Sequence, residues 1–127
     1  MIEIFKALGD ENRLRIVNLL MTTELCGCEI EVILEMTQSN VSRHLSKLKS
    51  AGIISSLKDA QWVYFKVSDK FENELLFRYL KQKFETSDLF VKDLEKYYKY
   101  KELNLNCQCI TDDKEKVLNF IKKEKLE

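Results

Sequence analysis

Apolar residues recur every three or four positions along most of the chain, the spacing of helices that bury one side. The pattern predicts a short helix over residues 2–8 and a second helix that Asp10 caps. A third helix over residues 28–35 is followed, after a tight turn, by a fourth that Thr37 can cap. Two short helices joined by a tight turn, the second one polar outside, indicate a helix-turn-helix.

The spacing changes to that of strands after Gly52, a residue type that tolerates the left-handed turn closing a helix. Residues 53–58 and 62–67 favour strands, since the second run is rich in β-branched and aromatic residues, and residues 59–61 predict the turn between them. A helix-turn-helix followed directly by a hairpin is a winged helix. We therefore expect a mostly α-helical fold with a β-hairpin wing.

Amphipathic helices are predicted after the hairpin. The apolar positions favour one helix over residues 71–84, another over residues 87–101, and a last one that starts near residues 111–113. At 127 residues we expect one winged-helix domain, for DNA binding and dimerisation, over residues 1–86. A helical extension over residues 87–127 completes the prediction.

The charge is unevenly distributed although 21 basic and 21 acidic residues sum to zero. Residues 36–58 contain four basic side chains and no acidic one, a charge of +4, so the remainder carries −4. A locally basic helix on an otherwise acidic protein is typical of a surface that binds a polyanion. The charge by itself leaves an ordinary solvated helix face as the alternative.

The polar side of the fourth helix supplies the candidate DNA contacts. Residues at the start of such a helix meet base edges, with Arg suited to guanine and Gln or Asn to adenine. The expected contacts to DNA are Gln38, Ser39, Asn40, Ser42, Arg43, Ser46 and Lys47. Of these, Ser42 and Ser46 are expected to contact phosphates. His44 lies at the edge of the apolar stripe, and we expect it to pack and bond locally rather than bind metal.

Four cysteines form two Cys-x-Cys pairs, Cys26 with Cys28 and Cys107 with Cys109. No apolar run approaches the roughly 18 residues of a membrane span and no signal peptide is apparent. We therefore expect a cytoplasmic protein, in which cysteines indicate metal or redox chemistry. On a regular helix, residues i and i+2 point roughly 200° apart. The first pair therefore shares an ion only if its segment is irregular or unwinds, which Gly27 makes easier, whereas the second lies in a polar break that needs no unwinding.

The chain resembles the ArsR/SmtB family of metal-responsive repressors. The matching motifs occur in the family's order and spacing, and they lie at residues 5–16, 24–30, 38–45, 51–54 and 62–65. The resemblance covers roughly residues 3–85 and departs from the family at the wing turn, where no glycine is present. It implies a two-fold dimer in which the helix after the wing packs with the first helix.

The resemblance also implies an inducer site. The segment Glu24–Leu25–Cys26–Gly27–Cys28 matches the family motif that binds the inducer in arsenic- and antimony-responsive members and supplies ligands in cadmium- and lead-responsive ones. Glu31 stands where some members place a third cysteine, so Cys107 and Cys109 are the candidates for the missing ligands. Three thiolates suit As(III) or Sb(III), and four suit Cd(II), Pb(II) or Zn(II). Whether these ligands come from the same subunit or its dimer mate stays open.

We therefore expect a homodimeric repressor that binds an inverted-repeat operator in double-stranded DNA and is released when thiolates capture As(III) or Sb(III). The alternatives are a Cd(II)-, Pb(II)- or Zn(II)-responsive repressor, a thiol redox-sensing repressor, and a constitutive DNA-binding architectural module. An enzyme is disfavoured, because a thiol oxidoreductase or arsenate reductase needs a Cys-x-x-Cys or a phosphate-cradling Cys loop, and the sequence contains neither.

Overall fold

The computed structural model describes the backbone of residues 1–126 and the side chains of residues 1–122. In chain order the elements are α1 (Ile2–Leu8), α2 (Glu11–Thr22), β1 (Leu25–Cys26), α3 (Gly27–Leu34), α4 (Gln38–Ser50), β2 (Ile54–Asp59), β3 (Trp62–Val67), α5 (Asp69–Glu72), α6 (Leu75–Glu85), α7 (Asp88–Glu102), α8 (Cys107–Asp112) and α9 (Lys114–Leu126). This arrangement confirms the predicted winged helix-turn-helix with a helical extension. Within the described residues, no helix is both long and apolar enough to cross a membrane.

Side-chain caps position the helices of the helix-turn-helix as the sequence predicts. The Asp10 carboxylate accepts a hydrogen bond from the Arg13 backbone N–H at 3.1 Å at the start of α2. The Thr37 hydroxyl accepts one from the Asn40 N–H at 3.3 Å at the start of α4. At the end of α4, Gly52 takes a φ of 78°, in the left-handed region that favours glycine.

The wing belongs to a three-stranded antiparallel sheet of order β1-β3-β2. The strand β1 was not predicted, because two residues are too short for a periodic signal. It pairs with β3 so that Leu25 faces Phe65 and Cys26 faces Tyr64. Cys26 is therefore the last residue of a strand and, at the same time, the residue that precedes the first turn of α3.

The wing turn has an alanine where its backbone favours glycine. Asp59 pairs with Trp62, which leaves a two-residue loop, and the first loop residue, Ala60, has a φ of 56°. We expect Ala60→Gly to raise the free energy of unfolding by about 1 kcal/mol, because an L side chain is strained in this region. Urea denaturation of both proteins measures the change.

The matched control for this prediction is Ala51→Gly. Ala51 has a φ of −79° at the end of α4, so there the added backbone freedom should lower the stability. A stabilisation at both positions, or at neither, would contradict the assignment of strain to the wing turn.

The extension packs directly on the winged helix. Helices α7, α8 and α9 all contact α3, and α7 also contacts α2. The buried side chains that the extension adds to the hydrophobic core are Tyr97, Tyr100, Ile110, Val117 and Ile121. An ion pair of a half-buried arginine with a buried aspartate reinforces this contact, since the Arg15 guanidinium donates to both carboxylate oxygens of Asp93, at 2.8 and 3.0 Å. The extension therefore shares its core with the DNA-binding fold.

Three predicted boundaries need correction. The helix predicted over residues 71–84 is two helices, because the chain breaks between α5 and α6 and Glu74 precedes the first turn of α6. The polar break around Cys107 is the helix α8, whose start is capped by the Asn106 side chain accepting from the Cys109 N–H at 2.9 Å. The last helix consequently starts at Lys114 and is capped by Asp113.

Candidate metal centre and nucleic-acid interface

The fourth helix presents its predicted polar face to solvent. The seven side chains expected at DNA, which are all exposed, are Gln38, Ser39, Asn40, Ser42, Arg43, Ser46 and Lys47. The opposite side is buried through Val41, His44, Leu45 and Leu48. The helix thus has one side in the core and an uncovered cationic, hydrogen-bonding side, as the apolar spacing predicts.

His44 packs and bonds within the fold, which confirms the local packing and bonding predicted for it. Its ring is buried, and its Nδ1 accepts a hydrogen bond from Arg13 Nη1 at 3.3 Å. Burial is the main cause that lowers the pKa of His44 below its ordinary value, and Arg13, Arg43 and Lys47 act in the same direction while Asp10 opposes them. The neutral imidazole thus anchors α4 to α2.

Three of the four cysteines converge beside this helix. The Cys26 and Cys28 Sγ atoms are 2.9 Å apart, and the Cys107 sulfur is in bonding contact with that of Cys26. All three sulfurs lie within 4.8 Å of one another, although 81 residues separate Cys26 from Cys107 in sequence. Within the part of the chain that the structure describes, these residues form a cluster that could hold a metal ion.

The expected conflict between the helix and the first cysteine pair is absent. Cys26 has extended backbone angles, φ −86° and ψ 165°, because it pairs with Tyr64 in the sheet, and only Cys28 lies in α3. The roughly 200° divergence of residues i and i+2 applies only when both are helical. Of the two expected alternatives, an irregular segment or one that unwinds, the structure shows the first, since the junction of strand and helix brings the two sulfurs together while α3 stays intact.

The sulfurs of the second pair, Cys107 and Cys109, do not meet each other as those of Cys26 and Cys28 do. Cys107 and Cys109 both lie in the first turn of α8, so their side chains diverge. Cys107 is buried at the cluster, while Cys109 is half-buried and lies outside it. The extension therefore brings one sulfur, from the same chain, to the pair at the start of α3.

The backbone separation of Cys26 and Cys107 is compatible with an ion between their sulfurs. The Cα atoms of Cys26 and Cys107 are 7.3 Å apart, wider than the roughly 4.4–6.8 Å of most disulfides. Thiolates that share one ion stand farther apart than two bonded sulfurs, so an ion enters only when the Cys26 and Cys107 sulfurs are reduced and separate, and the wide Cα spacing is compatible with that separation. Soft thiolate sulfurs are the donors that thiophilic ions prefer.

The surroundings of Cys28 keep its thiol protonated. Burial, assisted by the Glu29 and Glu31 carboxylates, raises the pKa of the Cys28 thiol to about 11. Because only thiolates ligate, capture of an ion must displace this proton at neutral pH.

Glu29 is a residue of the site that the sequence analysis missed. Its carboxylate is buried in the first turn of α3 and accepts the Cys26 backbone N–H at 3.0 Å and the Tyr100 hydroxyl at 2.6 Å. Burial and this hydrogen bond raise the pKa of Tyr100 far above its ordinary value, so the phenol stays a donor. The glutamate three residues after Cys26 has the spacing of a capping box, a signal that could have found it.

Two more acidic residues also bind the extension, Glu31 in α3 and Glu35 directly after it. Glu31 accepts from Lys114 Nζ at 2.8 Å, and Glu35 accepts from Lys96 and Lys122 at 3.2 Å each. Burial works to raise the pKa of Glu35, but the hydrogen bonds from Lys122 and Lys96 outweigh it and hold that pKa below its usual range. Glu35 has a φ of 56° in the turn to α4, so the extension reaches the turn that orients the DNA-facing helix.

A cleft connects the sulfurs to the DNA-facing helix. It has a volume of about 470 Å³ and is bordered by Cys26 and Cys28, by Gln38 and Ser42 of α4, and by Trp62 of the wing. Ion binding at the sulfurs would therefore take place next to Gln38 and Ser42, two of the expected DNA contacts. Trp62, the one tryptophan of the chain, gives this cleft a fluorescent reporter.

Comparison with known proteins assigns the family. Residues 10–56 match the model described as the bacterial regulatory protein, arsR family. The structure of HlyU from Vibrio cholerae N16961 is 35% identical, with a TM-score of 0.54, over 61% of this chain and 87% of that one. The chain belongs to the ArsR family.

ArsR relatives include regulators of resistance to two different elements. The arsenic resistance transcriptional regulator ArsR1 of Pseudomonas putida is 42% identical over 65 residues, 50% of this chain and 51% of the relative. The cadmium resistance transcriptional regulatory protein CadC of Listeria innocua is 45% identical over 62 residues, 48% of this chain and 52% of the relative. The chain thus spans about half the length of these curated relatives.

One similar ArsR-type structure is a dimer. The winged helix-turn-helix domain of Mb0332 from Mycobacterium bovis, described as homodimeric and as a possible ArsR-family regulator, is 26% identical with a TM-score of 0.52. It matches 54% of this chain, which covers 63% of that domain. The family match itself ends at residue 56, well before the extension that supplies Cys107.

Proposed function

We propose that this ArsR-family protein is a homodimeric transcriptional repressor that leaves its operator when Cys26, Cys28 and Cys107 capture As(III) or Sb(III). The observation that carries the proposal is the convergence of these three sulfurs within 4.8 Å at the start of the helix-turn-helix. The relatives named as arsenic and cadmium resistance regulators support an ion as the inducer.

The choice of As(III) or Sb(III) follows from the number of sulfurs. Three thiolates complete the coordination of a trivalent metalloid, whereas Cd(II), Pb(II) and Zn(II) favour a fourth ligand. Cys109 lies outside the cluster, and Glu31, at the position of a third cysteine in some members, is occupied by Lys114 at 2.8 Å. Residues 87–127 therefore act as the extension that completes a metalloid site on the DNA-binding unit of residues 1–86.

The dimer is proposed from two exposed apolar helices. Ile2 and Phe5 of α1 are 63% and 56% exposed, and Leu75 and Tyr79 of α6 are 79% and 54% exposed. Burial of these side chains between two copies would stabilise a two-fold dimer. Such a dimer would present two copies of α4 to successive major grooves and would read an inverted repeat.

Release requires that the ion prefers a conformation that does not bind DNA. The sulfurs lie on β1, α3 and α8, so an ion between them changes how the extension and the wing sheet are held against α3. Linkage is reciprocal, so operator DNA must weaken ion binding by the same factor. The cleft bordered by Cys26, Cys28, Gln38 and Ser42 places the change beside the DNA face.

The experiment that tests the function is a titration of operator affinity. An operator is selected from random DNA with the full chain, and its affinity is measured by fluorescence anisotropy with and without As(III). We expect As(III) to weaken binding at least tenfold, about 1.4 kcal/mol of coupling. If As(III) leaves the affinity unchanged while Cd(II), Pb(II) or Zn(II) lowers it, the inducer assignment is wrong, and indifference to all of them would indicate an architectural module.

A second function, thiol redox sensing, is favoured by the direct contact of the Cys26 and Cys107 sulfurs. In that case hydrogen peroxide would oxidise the two thiols to a disulfide and would itself be reduced to two waters. The protein mass would fall by two hydrogens, and a reductant would restore operator binding. Release by peroxide and not by As(III) would favour this function over ion sensing.

The DNA face yields a separate prediction. Arg43→Ala should weaken operator binding by about 1–3 kcal/mol, roughly ten- to hundredfold, because an arginine at a base edge makes a bidentate contact. Anisotropy titrations at several salt concentrations measure this loss. Lys92→Ala is the matched control, since it removes one positive charge from an exposed position of α7, and an equal loss in both variants would contradict the assignment of α4.

A further inference from the structure

One buried carboxylate joins the two cysteine-bearing parts of the chain. Glu29 Oε1 accepts the backbone N–H of Cys26 at 3.0 Å, and Glu29 Oε2 accepts the hydroxyl of Tyr100 at 2.6 Å. Glu29 is 8% exposed and Tyr100 is 3% exposed. The carboxylate therefore holds the backbone of one sulfur ligand with one oxygen and the extension with the other.

A short turn joins Tyr100 to the third sulfur ligand, Cys107. The tyrosine is in the last turn of α7, and the chain reverses through Asn104, which has a φ of 56°, before Cys107 starts α8. The Leu105 N–H donates to the Tyr100 carbonyl at 3.4 Å within this reversal. Since only a short, bonded turn separates Tyr100 from Cys107, fixing the tyrosine against α3 fixes the start of α8.

The strength of this link comes from its burial. Hydrogen bonds to a charged acceptor are stronger than neutral ones, and water does not compete in a dry environment. Loss of the Tyr100 hydroxyl would leave the buried Glu29 Oε2 without its hydrogen-bond donor. This loss would favour conformations in which water reaches that oxygen. Such a conformation separates α7 from α3 at this point and moves Cys107 away from Cys26.

We propose that Glu29 and Tyr100 form a positioning pair that places the Cys107 thiol against Cys26 and Cys28. The pair sets the affinity for three-coordinate ions without touching the ion, and this inference rests on the proposed function. Without the pair, the site keeps Cys26 and Cys28 and loses its preference for As(III).

The test is Tyr100→Phe in the full chain, which deletes one oxygen and keeps the buried ring. We expect a tenfold or greater loss of As(III) affinity, measured from the As–S absorbance, as is typical of residues that hold a ligand in place. Tyr97→Phe, the same change one turn earlier on α7, should change the affinity less than twofold. Glu29→Gln keeps an oxygen for the Cys26 N–H and should fall between these two.

A double-mutant cycle separates positioning from general damage. In a Cys107→Ser background, Tyr100→Phe should cause no further loss of As(III) affinity, because its effect acts through the Cys107 sulfur. An equal loss in both backgrounds would show that the hydroxyl only supports the fold, and it would overturn the inference.

A readout without arsenic tests the pair independently of the proposed function. In a Cys28→Ser/Cys109→Ser background, oxidised glutathione converts Cys26 and Cys107 to a disulfide and releases two reduced glutathiones. The equilibrium constant of this exchange measures the effective concentration of the Cys107 thiol at Cys26. Tyr100→Phe should lower this effective concentration about tenfold. If As(III) does not bind but this effective concentration falls, the proposed function fails and the pair stands. If As(III) binds and neither readout changes, the pair fails alone.

Discussion

Cys28→Ser is expected to lower the affinity for As(III) by about a hundredfold or more, while operator binding in the absence of the ion stays within about twofold. The loss follows from replacing one of three soft sulfur donors by a hard oxygen. The Cys28 side chain lies at the cluster, with its sulfur 2.9 Å from that of Cys26, and outside the exposed face of α4. As–S absorbance measures the affinity, and anisotropy measures release from the operator.

Cys109→Ser is the matched control for this prediction. It makes the same change in a second half-buried cysteine, one that lies outside the cluster. We expect it to keep As(III) affinity within about threefold, since it removes no donor from the three-sulfur set. Equal losses at both positions would show that Cys109 is a ligand and that the extension rearranges on binding.

Arg15→Ala is expected to lower the free energy of unfolding by about 3 kcal/mol. Asp93 is 1% exposed, and the Arg15 guanidinium donates to both of its carboxylate oxygens. The Asp93 hydrogen bond is the main cause that raises the pKa of Arg15, and burial opposes it. Removing one partner of a buried pair leaves the other charge without compensation. Urea denaturation followed by circular dichroism measures the change.

Lys66→Ala supplies the comparison for the buried pair. Lys66 Nζ and Asp69 Oδ1 are 3.6 Å apart, with Asp69 exposed and Lys66 half-buried, so loss of this surface pair should cost less than about 1 kcal/mol. The Arg15 variant should also loosen α7 from α2 and, through it, weaken As(III) binding. A loss of stability no larger than that of Lys66→Ala would show that α7 is held mainly by apolar packing.

The winged helix was predictable because local signals agree along residues 1–67. The caps at Asp10 and Thr37, the glycine at 52 and the apolar stripe of α4 each specify a local structure that the fold then uses. The spacing of apolar residues predicted the helix boundaries less well after the wing. The break before α6 and the helix α8 depend on short polar segments, where side-chain caps rather than apolar spacing decide the backbone.

The amino-acid sequence by itself determined which residue types could form a sulfur site and which helix could meet DNA. The face of α4 follows from a repeat of 3.6 residues, and the ligand chemistry follows from two Cys-x-Cys pairs. Both properties are local, so they are readable without knowing how distant segments pack.

Only the tertiary structure decided which sulfurs meet. Cys26 points toward Cys28 because strand pairing with Tyr64 holds it in an extended conformation at the start of a helix. Cys107 joins them, and Cys109 does not, because α7–α9 fold back on α3 in the same chain. Contacts between residues 81 positions apart arise from packing and buried hydrogen bonds, which leave no periodic trace in the sequence.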